Sequence, residues 1–265
     1  MDKKISISDI LSMKNKKKIV MITAYDALFT KIFDEFVDMI LVGDSLNMSF
    51  GGKNDTLSLS LDDMIYHTKI VKNSAKRALV VADMPFGYTN NIDEAVQNCA
   101  RIYKETGADA IKIECDANDV KLIEKLSSIG IATIAHIGLR PQQVRFEGGY
   151  KVKGKNENDE EKLLNDAKIL SEAGAFCVLI EGTISEISTK ITKNINVPTI
   201  GIGCGNGTDG QVLVWSDMLG FFDEFKPKFV KRYLNGAELV RKAVKDYADE
   251  VRSCEFPSAE FEYKK

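Results

Sequence analysis

The sequence predicts a single (β/α)8 barrel, and three features carry that expectation. Short apolar runs recur, and each finishes on a polar or ionisable residue: Met39-Ile40-Leu41-Val42-Gly43-Asp44-Ser45, Leu79-Val80-Val81-Ala82-Asp83, Ala110-Ile111-Lys112-Ile113-Glu114, Ile131-Ala132-Thr133-Ile134-Ala135-His136 and Cys177-Val178-Leu179-Ile180-Glu181. Runs of this kind suit strands buried on both faces of a parallel sheet. Helical segments alternate with them over short connections, which is the signature of parallel pairing. The length of 265 residues matches one closed barrel. A doubly wound open sheet is the competing architecture.

Taken in order, a polar lead precedes a first strand at residues 18–23. A helix over 26–36 follows, with Leu28, Ile32, Phe33 and Phe36 at helical spacing. The second strand ends at Asp44 and opens into a long loop, 45–60, of the length that usually carries function. A helix over 61–75 leads to the third strand, 78–83, which Pro85 stops because proline cannot continue the ladder. The next helix, 92–106, ends at Gly107 as a candidate C-cap. A fourth strand (110–114), a helix (119–128) and a fifth strand (131–136) complete the first part of the ring.

The interval 138–159 breaks the rhythm. Its stretch 146–155 is glycine-rich and basic with interleaved aromatics, and reads as a lid over the strand ends, a mobile loop bounded at about 146–159; a disordered surface loop is the other reading. Helix 160–172, strand 176–181, helix 185–192 and strand 198–203 restore the alternation. The region 210–220, with Val212-Leu213-Val214-Trp215, holds the candidate eighth strand. A terminal helix is predicted over 236–252 and a tail over 254–265. No shift in composition marks a second domain, so residues 1–265 read as one.

Composition narrows the class. At 44% hydrophobic and 28% charged residues the chain is an ordinary globular protein, and a net charge of -3 gives no electrostatic reason to expect nucleic acid. The basic run Lys14-Asn15-Lys16-Lys17-Lys18 reads as a solvated face. The five cysteines show no metal-ligand spacing and fit free thiols in a reducing compartment. No run approaches the roughly 20 apolar residues of a membrane span, and none has the form of a signal peptide. The expectation is a soluble, cytoplasmic protein with small-molecule partners.

The chemistry gathers at the strand ends. Asp44, Asp83, Glu114 and Glu181 end four different strands, so a barrel brings them to one mouth. Carboxylates crowded together repel unless a cation sits among them, and a hard divalent ion, Mg²⁺ above all, suits such oxygen donors. For each acid alone, a helix cap or solvated turn is the simpler role; the recurrence at one phase points to a site. Lys112 and Glu114 share a strand face, so Lys112 could bind a substrate carboxylate, pair with Glu114 or form a Schiff base. His136 could donate to a substrate oxygen, or be a satisfied core histidine. The other histidine, His67, falls mid-helix and reads as packing or surface. The stretch from Gly201 to Gly207 has G-x-G-x-G-x-G spacing, a weak phosphate signal, equally suited to a tight turn. Cys204 within it has no base beside it and is not expected to be a nucleophile.

Dispersed motifs carry a resemblance. Thr23-Ala24-Tyr25-Asp26, Val42-Gly43-Asp44-Ser45, Ala82-Asp83-Met84-Pro85-Phe86-Gly87, Lys112-Ile113-Glu114, His136-Ile137-Gly138-Leu139, Gly148-Gly149-Tyr150-Lys151-Val152, Ile180-Glu181-Gly182 and Ile200-Gly201-Ile202-Gly203 with Thr208-Asp209-Gly210-Gln211-Val212 together resemble the ketopantoate hydroxymethyltransferase family, within the phosphoenolpyruvate mutase and isocitrate lyase type of barrel. The resemblance implies transfer of a hydroxymethyl group from 5,10-methylenetetrahydrofolate to 3-methyl-2-oxobutanoate, early in pantothenate synthesis. It implies one Mg²⁺ per subunit at Asp44 and Asp83, with Glu114 near it through water. Asp44, Ser45, Asp83, Lys112 and His136 would hold the substrate, and Glu181 would be the base. A homodecamer of stacked pentamers is implied as well. Cys204, where alanine is common, and Arg140, where a small polar residue is usual, depart from the pattern and bear on folate affinity. The rival readings are a related Mg²⁺-dependent C–C lyase acting on a 2-oxo or 2-hydroxy acid, a Schiff-base aldolase working through Lys112, and a ligand-binding barrel without catalysis.

Overall fold

The computed structural model of the protein describes residues 3–222 and 225–265. Residues 1–214 and residues 215–265 are two compact units. In the first, eight parallel strands close into a barrel: β1 (Ile19–Thr23), β2 (Met39–Val42), β3 (Leu79–Asp83), β4 (Ala110–Glu114), β5 (Thr133–Gly138), β6 (Cys177–Glu181), β7 (Thr199–Ile202) and β8 (Gly210–Leu213). Each pairs with the next, and β8 returns to β1 with Gly210 opposite Ile19. The predicted (β/α)8 barrel is therefore the observed fold, and the open sheet is excluded.

The helices of this unit are α1 (Ile7–Met13), α2 (Ala27–Phe33), α3 (Leu46–Ser49), α4 (Leu61–Ser74), α5 (Ile92–Thr106), α6 (Val120–Ser128), α7 (Val144–Glu147), α8 (Glu157–Glu172) and α9 (Ser185–Asn194). Local chemistry sets their ends. The side chains of Asp26, Ser60, Asn91 and Asn156 accept backbone N–H groups at the starts of α2, α4, α5 and α8, satisfying donors that have no partner within the helix. Gly107 ends α5 in the left-handed region at φ 68°, as expected.

The strand period of two sorts the barrel interior into layers. Ile19 and Met21, Met39 and Leu41, Leu79 and Val81, Ala110, Ile134, Cys177 and Leu179, Ile200 and Ile202, and Val212 form one apolar core. The next residues in the same phase on β3 to β6 are Asp83, Lys112 with Glu114, His136 and Glu181. An apolar lower interior thus carries a polar top layer.

At the opposite end, α1 closes the floor. Its Ile10 is fully buried in the core cluster, with Ile5, Ile7 and Met13 packed against it. The sequence suggested only a polar lead here, because seven residues show too little periodicity; the capping box between Ser6 and Asp9 starts the helix. The fifth strand begins at Thr133, not 131, because the Ile131 N–H bonds back to the Leu126 carbonyl. Helix α8 starts at Glu157 rather than 160.

The second unit contains α10 (Trp215–Met218) and α11 (Gly236–Ser253). Trp215 thus belongs to a helical turn, while β8 ends at Leu213. Helix α11 is amphipathic, yet Leu239, Val240, Val244, Tyr247 and Val251 are exposed. Beyond it, the Phe256 ring packs between Tyr247 and Phe261. Among the described residues no helix is long and apolar enough to cross a membrane.

Candidate active site

The polar top layer is one connected network. Asp44 lies just past β2, and its backbone N–H donates to Asp83 Oδ2 at 3.1 Å. Asp83 stands beside Lys112 in the β3–β4 register, and Lys112 Nζ lies 2.9 Å from Asp83 Oδ1. Lys112 Nζ also lies 3.1 Å from His136 Nδ1. His136 Nε2 lies 3.3 Å from Glu181 Oε2, and its Nδ1 lies 3.9 Å from Glu114 Oε1. Asp44, Asp83, Lys112 and His136 are buried, whereas the Glu181 side chain keeps 17% exposure at the mouth. Ser45, next to Asp44, shares a hydrogen bond of 2.7 Å with the buried Tyr25 hydroxyl. The structure therefore brings every predicted site residue to the same end of the barrel. The ion pair of Lys112 forms with Asp83 on the neighbouring strand.

Burial and crowding shape the charges. Burial pushes Glu181 up to about 8, helped by Asp44 and Asp83 and opposed by Lys112. Burial likewise pushes Asp83 up to about 7 and Glu114 well above the carboxylate range, with Asp44 adding repulsion in both. Desolvation pulls Lys112 down, but Asp83, Asp44 and Glu114 together outweigh it and hold the ammonium above the ordinary lysine range. Burial, then Lys112 and Arg140, keep His136 well below the usual histidine value, so it is neutral at physiological pH.

The donor set fits a hard divalent cation. Asp44 and Asp83 offer carboxylate oxygens at the same end of the barrel, and Asp83 Oδ1 is buried and faced by the Lys112 ammonium at 2.9 Å. Among the described residues no group of three or more His, Cys, Asp or Glu side chains is placed to hold a metal alone. Mg²⁺ needs no such cage, since one or two carboxylates suffice beside water and substrate oxygens.

Sequence reasoning missed Gln142. It lies on the 3₁₀ turn Pro141–Gln143; its side-chain amide donates to Asp44 Oδ2 and to the Met84 carbonyl, both at 2.9 Å. Its backbone N–H reaches both Glu114 oxygens at 3.2 Å. A glutamine on an irregular turn has no periodicity to announce it. Tyr25 was visible as a motif residue but without a role. Its carbonyl oxygen lies 2.7 Å from His67 Nδ1, so His67 buttresses the mouth from outside.

The excursion after β5 is tied on two sides. Arg145 grips Asp55 Oδ2 through Nε and Nη2 at 3.0 and 2.8 Å, reaching the loop after β2. Lys153 bridges to Thr183 at the end of β6, next to Glu181. In the glycine-rich stretch, Gly205 turns at φ 82° where a Cβ would sit 2.7 Å from Ser185 Cβ, so the close approach is to α9. Burial pushes the Cys204 thiol up to about 11, which suits an inert residue.

A family model described as ketopantoate hydroxymethyltransferase matches residues 4–259. The 3-methyl-2-oxobutanoate hydroxymethyltransferase of Campylobacter fetus subsp. fetus (strain 82-40) is 59% identical over 263 residues, covering 99% of this chain and 100% of that protein. The enzyme of the same name from Helicobacter pylori (strain ATCC 700392 / 26695) is 54% identical over 256 residues, covering 97% and 95%. Among solved structures, a 2,3-dimethylmalate lyase of the PEP mutase/isocitrate lyase superfamily aligns with a TM-score of 0.61 at 16% identity, covering 97% of this chain and 91% of that one. Phosphonopyruvate hydrolase in complex with oxalate and Mg²⁺ aligns with a TM-score of 0.61 at 13% identity, covering 96% and 92%. At such identity these structures bear on the fold alone. On the model match and the relatives' full-length identity, the chain belongs to the ketopantoate hydroxymethyltransferase family.

Proposed function

We propose that the protein transfers a hydroxymethyl group from 5,10-methylenetetrahydrofolate to 3-methyl-2-oxobutanoate, giving 2-dehydropantoate and tetrahydrofolate, through an enolate of the keto acid. The observation that carries this reading is the continuous line Asp83–Lys112–His136–Glu181. It sets a cation, a neutral imidazole and a carboxylate with raised pKa around one opening.

Asp44 and Asp83 would hold Mg²⁺ directly and Glu114 through water. When bound, the ion supplies Lewis-acid stabilisation of the charge that develops on the keto oxygen. Ser45 orients the keto acid, and the Lys112 ammonium offsets its carboxylate charge. Glu181 removes the proton from C3, a task for which a pKa near 8 is well matched at neutral pH. The electron pair of the broken C3–H bond forms the new C–C bond to the methylene carbon of the folate. The bonds from that carbon to folate N5 and N10 break, water supplies the hydroxyl, and the protons from C3 and from water end on the two folate nitrogens. His136 faces Glu181 with Nε2 at 3.3 Å. The excursion after β5, tied at Asp55 and Thr183, limits water over the reacting carbon. A homodecamer belongs to the same reading on family resemblance, and sedimentation measures it.

The test is proton exchange at C3 of 3-methyl-2-oxobutanoate in D₂O, followed by NMR without folate. Exchange that requires both Mg²⁺ and Glu181 is the expected result. Absence of exchange together with absence of turnover on adding methylenetetrahydrofolate overturns the reading.

A further inference from the structure

We propose that Gln142 is a positioning residue that fixes the carboxylates of Asp44 and Glu114 for cation and keto-acid binding, and that Arg140 holds the turn carrying it. The inference rests on the reading above and extends it to two residues outside the reacting set.

Gln142 reaches both ends of the carboxylate arc, Asp44 through its side chain and Glu114 through its backbone N–H. Its two amide hydrogens go to Asp44 Oδ2 and the Met84 carbonyl. The Met84 N–H in turn bonds the Lys112 carbonyl, so this carbonyl belongs to the frame of β3 and β4. Asp44 lies beyond the last residue of β2, where the ladder no longer fixes its backbone. Apart from the amide of Gln142, no side-chain donor in the hydrogen bonds above reaches its carboxylate. A carboxylate held at one oxygen keeps its other oxygen turned to the mouth, and this is how outer partners raise the affinity of metal ligands. The same residue's backbone N–H, shared between the Glu114 oxygens, sets the second carboxylate.

The turn itself is anchored. Arg140 Nη1 lies 3.3 Å from Asp116 Oδ2, after β4, and Nη2 donates to Gln143 Oε1 at 2.9 Å. The Gln143 N–H bonds back to the Arg140 carbonyl at 2.9 Å. Asp116 also faces Lys162 of α8 at 3.5 Å, while Lys162 pairs with Asp166, whose carboxylate accepts the Ala117 N–H. Arg140, Asp116, Lys162 and Asp166 line a cavity of about 100 Å³ and pair with one another. These paired charges tie the turn to the loop after β4 and to α8.

The experiment compares wild type, Gln142→Met, Arg140→Ala and the double variant. Mg²⁺ binding is measured by calorimetry without substrate, beside the kcat and KM for each substrate. Gln142→Met keeps the side-chain length and removes both donors. It is expected to weaken Mg²⁺ binding at least tenfold and to raise the KM for the keto acid, with the KM for the folate unchanged. Gln142→Asn, too short to reach both acceptors, is expected to fall between. Arg140→Ala is expected to give the same pattern at smaller size. The double variant is expected to be no worse than Gln142→Met, because residues acting through one another are not additive. Wild-type Mg²⁺ affinity in a folded Gln142→Met protein overturns the proposal alone. Additive losses in the double variant overturn the part played by Arg140. A wild-type protein that takes up no Mg²⁺ overturns the proposal together with the reading it rests on.

Discussion

Lys112 donates to His136. The ammonium has no lone pair, so at 3.1 Å the imidazole Nδ1 must accept, and the neutral ring then carries its proton on Nε2, facing Glu181. The tautomer follows from the neighbour on β4. In ¹⁵N NMR, His136 is expected to show an unprotonated Nδ1 and a protonated Nε2 at pH 7, without titrating down to pH 6. A doubly protonated ring at pH 7 contradicts this arrangement.

The same pairing bears on Schiff-base chemistry. An amine attacks a carbonyl only when deprotonated, and Asp83, Asp44 and Glu114 keep Lys112 charged. Borohydride with 3-methyl-2-oxobutanoate is expected to leave no adduct on Lys112 by mass spectrometry. Lys112→Met is expected to lose turnover and to melt at lower temperature, since breaking a buried pair costs about 3–5 kcal/mol.

Stability should depend on pH and cation together. Glu181 and Glu114 have folded pKa values raised above those of the unfolded chain. They favour the folded state fully only below the usual carboxylate range, and that contribution is lost as pH rises toward about 8 for Glu181. Asp209 has the opposite sign: its side-chain bond to Lys14 and the Thr199 N–H, against the cost of burial, hold its carboxyl low, so its contribution is lost only in acid. The melting temperature of metal-free protein is expected to fall between pH 5.5 and 8. Mg²⁺ is expected to raise it more at pH 8 than at pH 5.5, because ligands must be ionised to bind. An equal rise at both values argues against cation binding among these carboxylates.

Two glycines separate strain from position. Gly138 and Gly130 have φ of 93° and 84°, so alanine at either adds backbone strain of roughly 1–2 kcal/mol. At Gly130 a Cβ meets nothing within 4 Å, whereas at Gly138 it presses on the Glu181 carbonyl oxygen and lies 2.7 Å from Thr183 Oγ1. Urea unfolding is expected to show both variants weakened. Activity is expected to survive in Gly130→Ala and to drop at least tenfold in Gly138→Ala.

The fold was legible because a parallel strand buried on both faces must be continuously apolar, and the inward phase can carry an ion only at its end. Asp83, Glu114 and Glu181 obey that rule as the last residues of β3, β4 and β6, while Lys112, paired with Asp83, and the neutral His136 sit one inward step earlier. Asp44 and Ser45 follow it loosely, as the first residues past β2. What escaped was either too short for periodicity, as with α1, or irregular, as with Gln142. The choice of Asp83 as the partner of Lys112 was also hidden, because interstrand register is a property of closure and not of either strand.

The sealed floor around Ile10 has a kinetic corollary. A barrel stoppered at one end has a single doorway, so both reactants and both products must pass through it in turn. In the proposed reaction the small keto acid would reach the layer of Lys112 and His136 only while that doorway is clear, and the bulkier folate, seated above it, would block the exit. Under the proposed reaction, binding would then follow a compulsory order, keto acid first and folate second. Product inhibition patterns would register that sequence, although nothing in the chemistry of the C–C bond demands it.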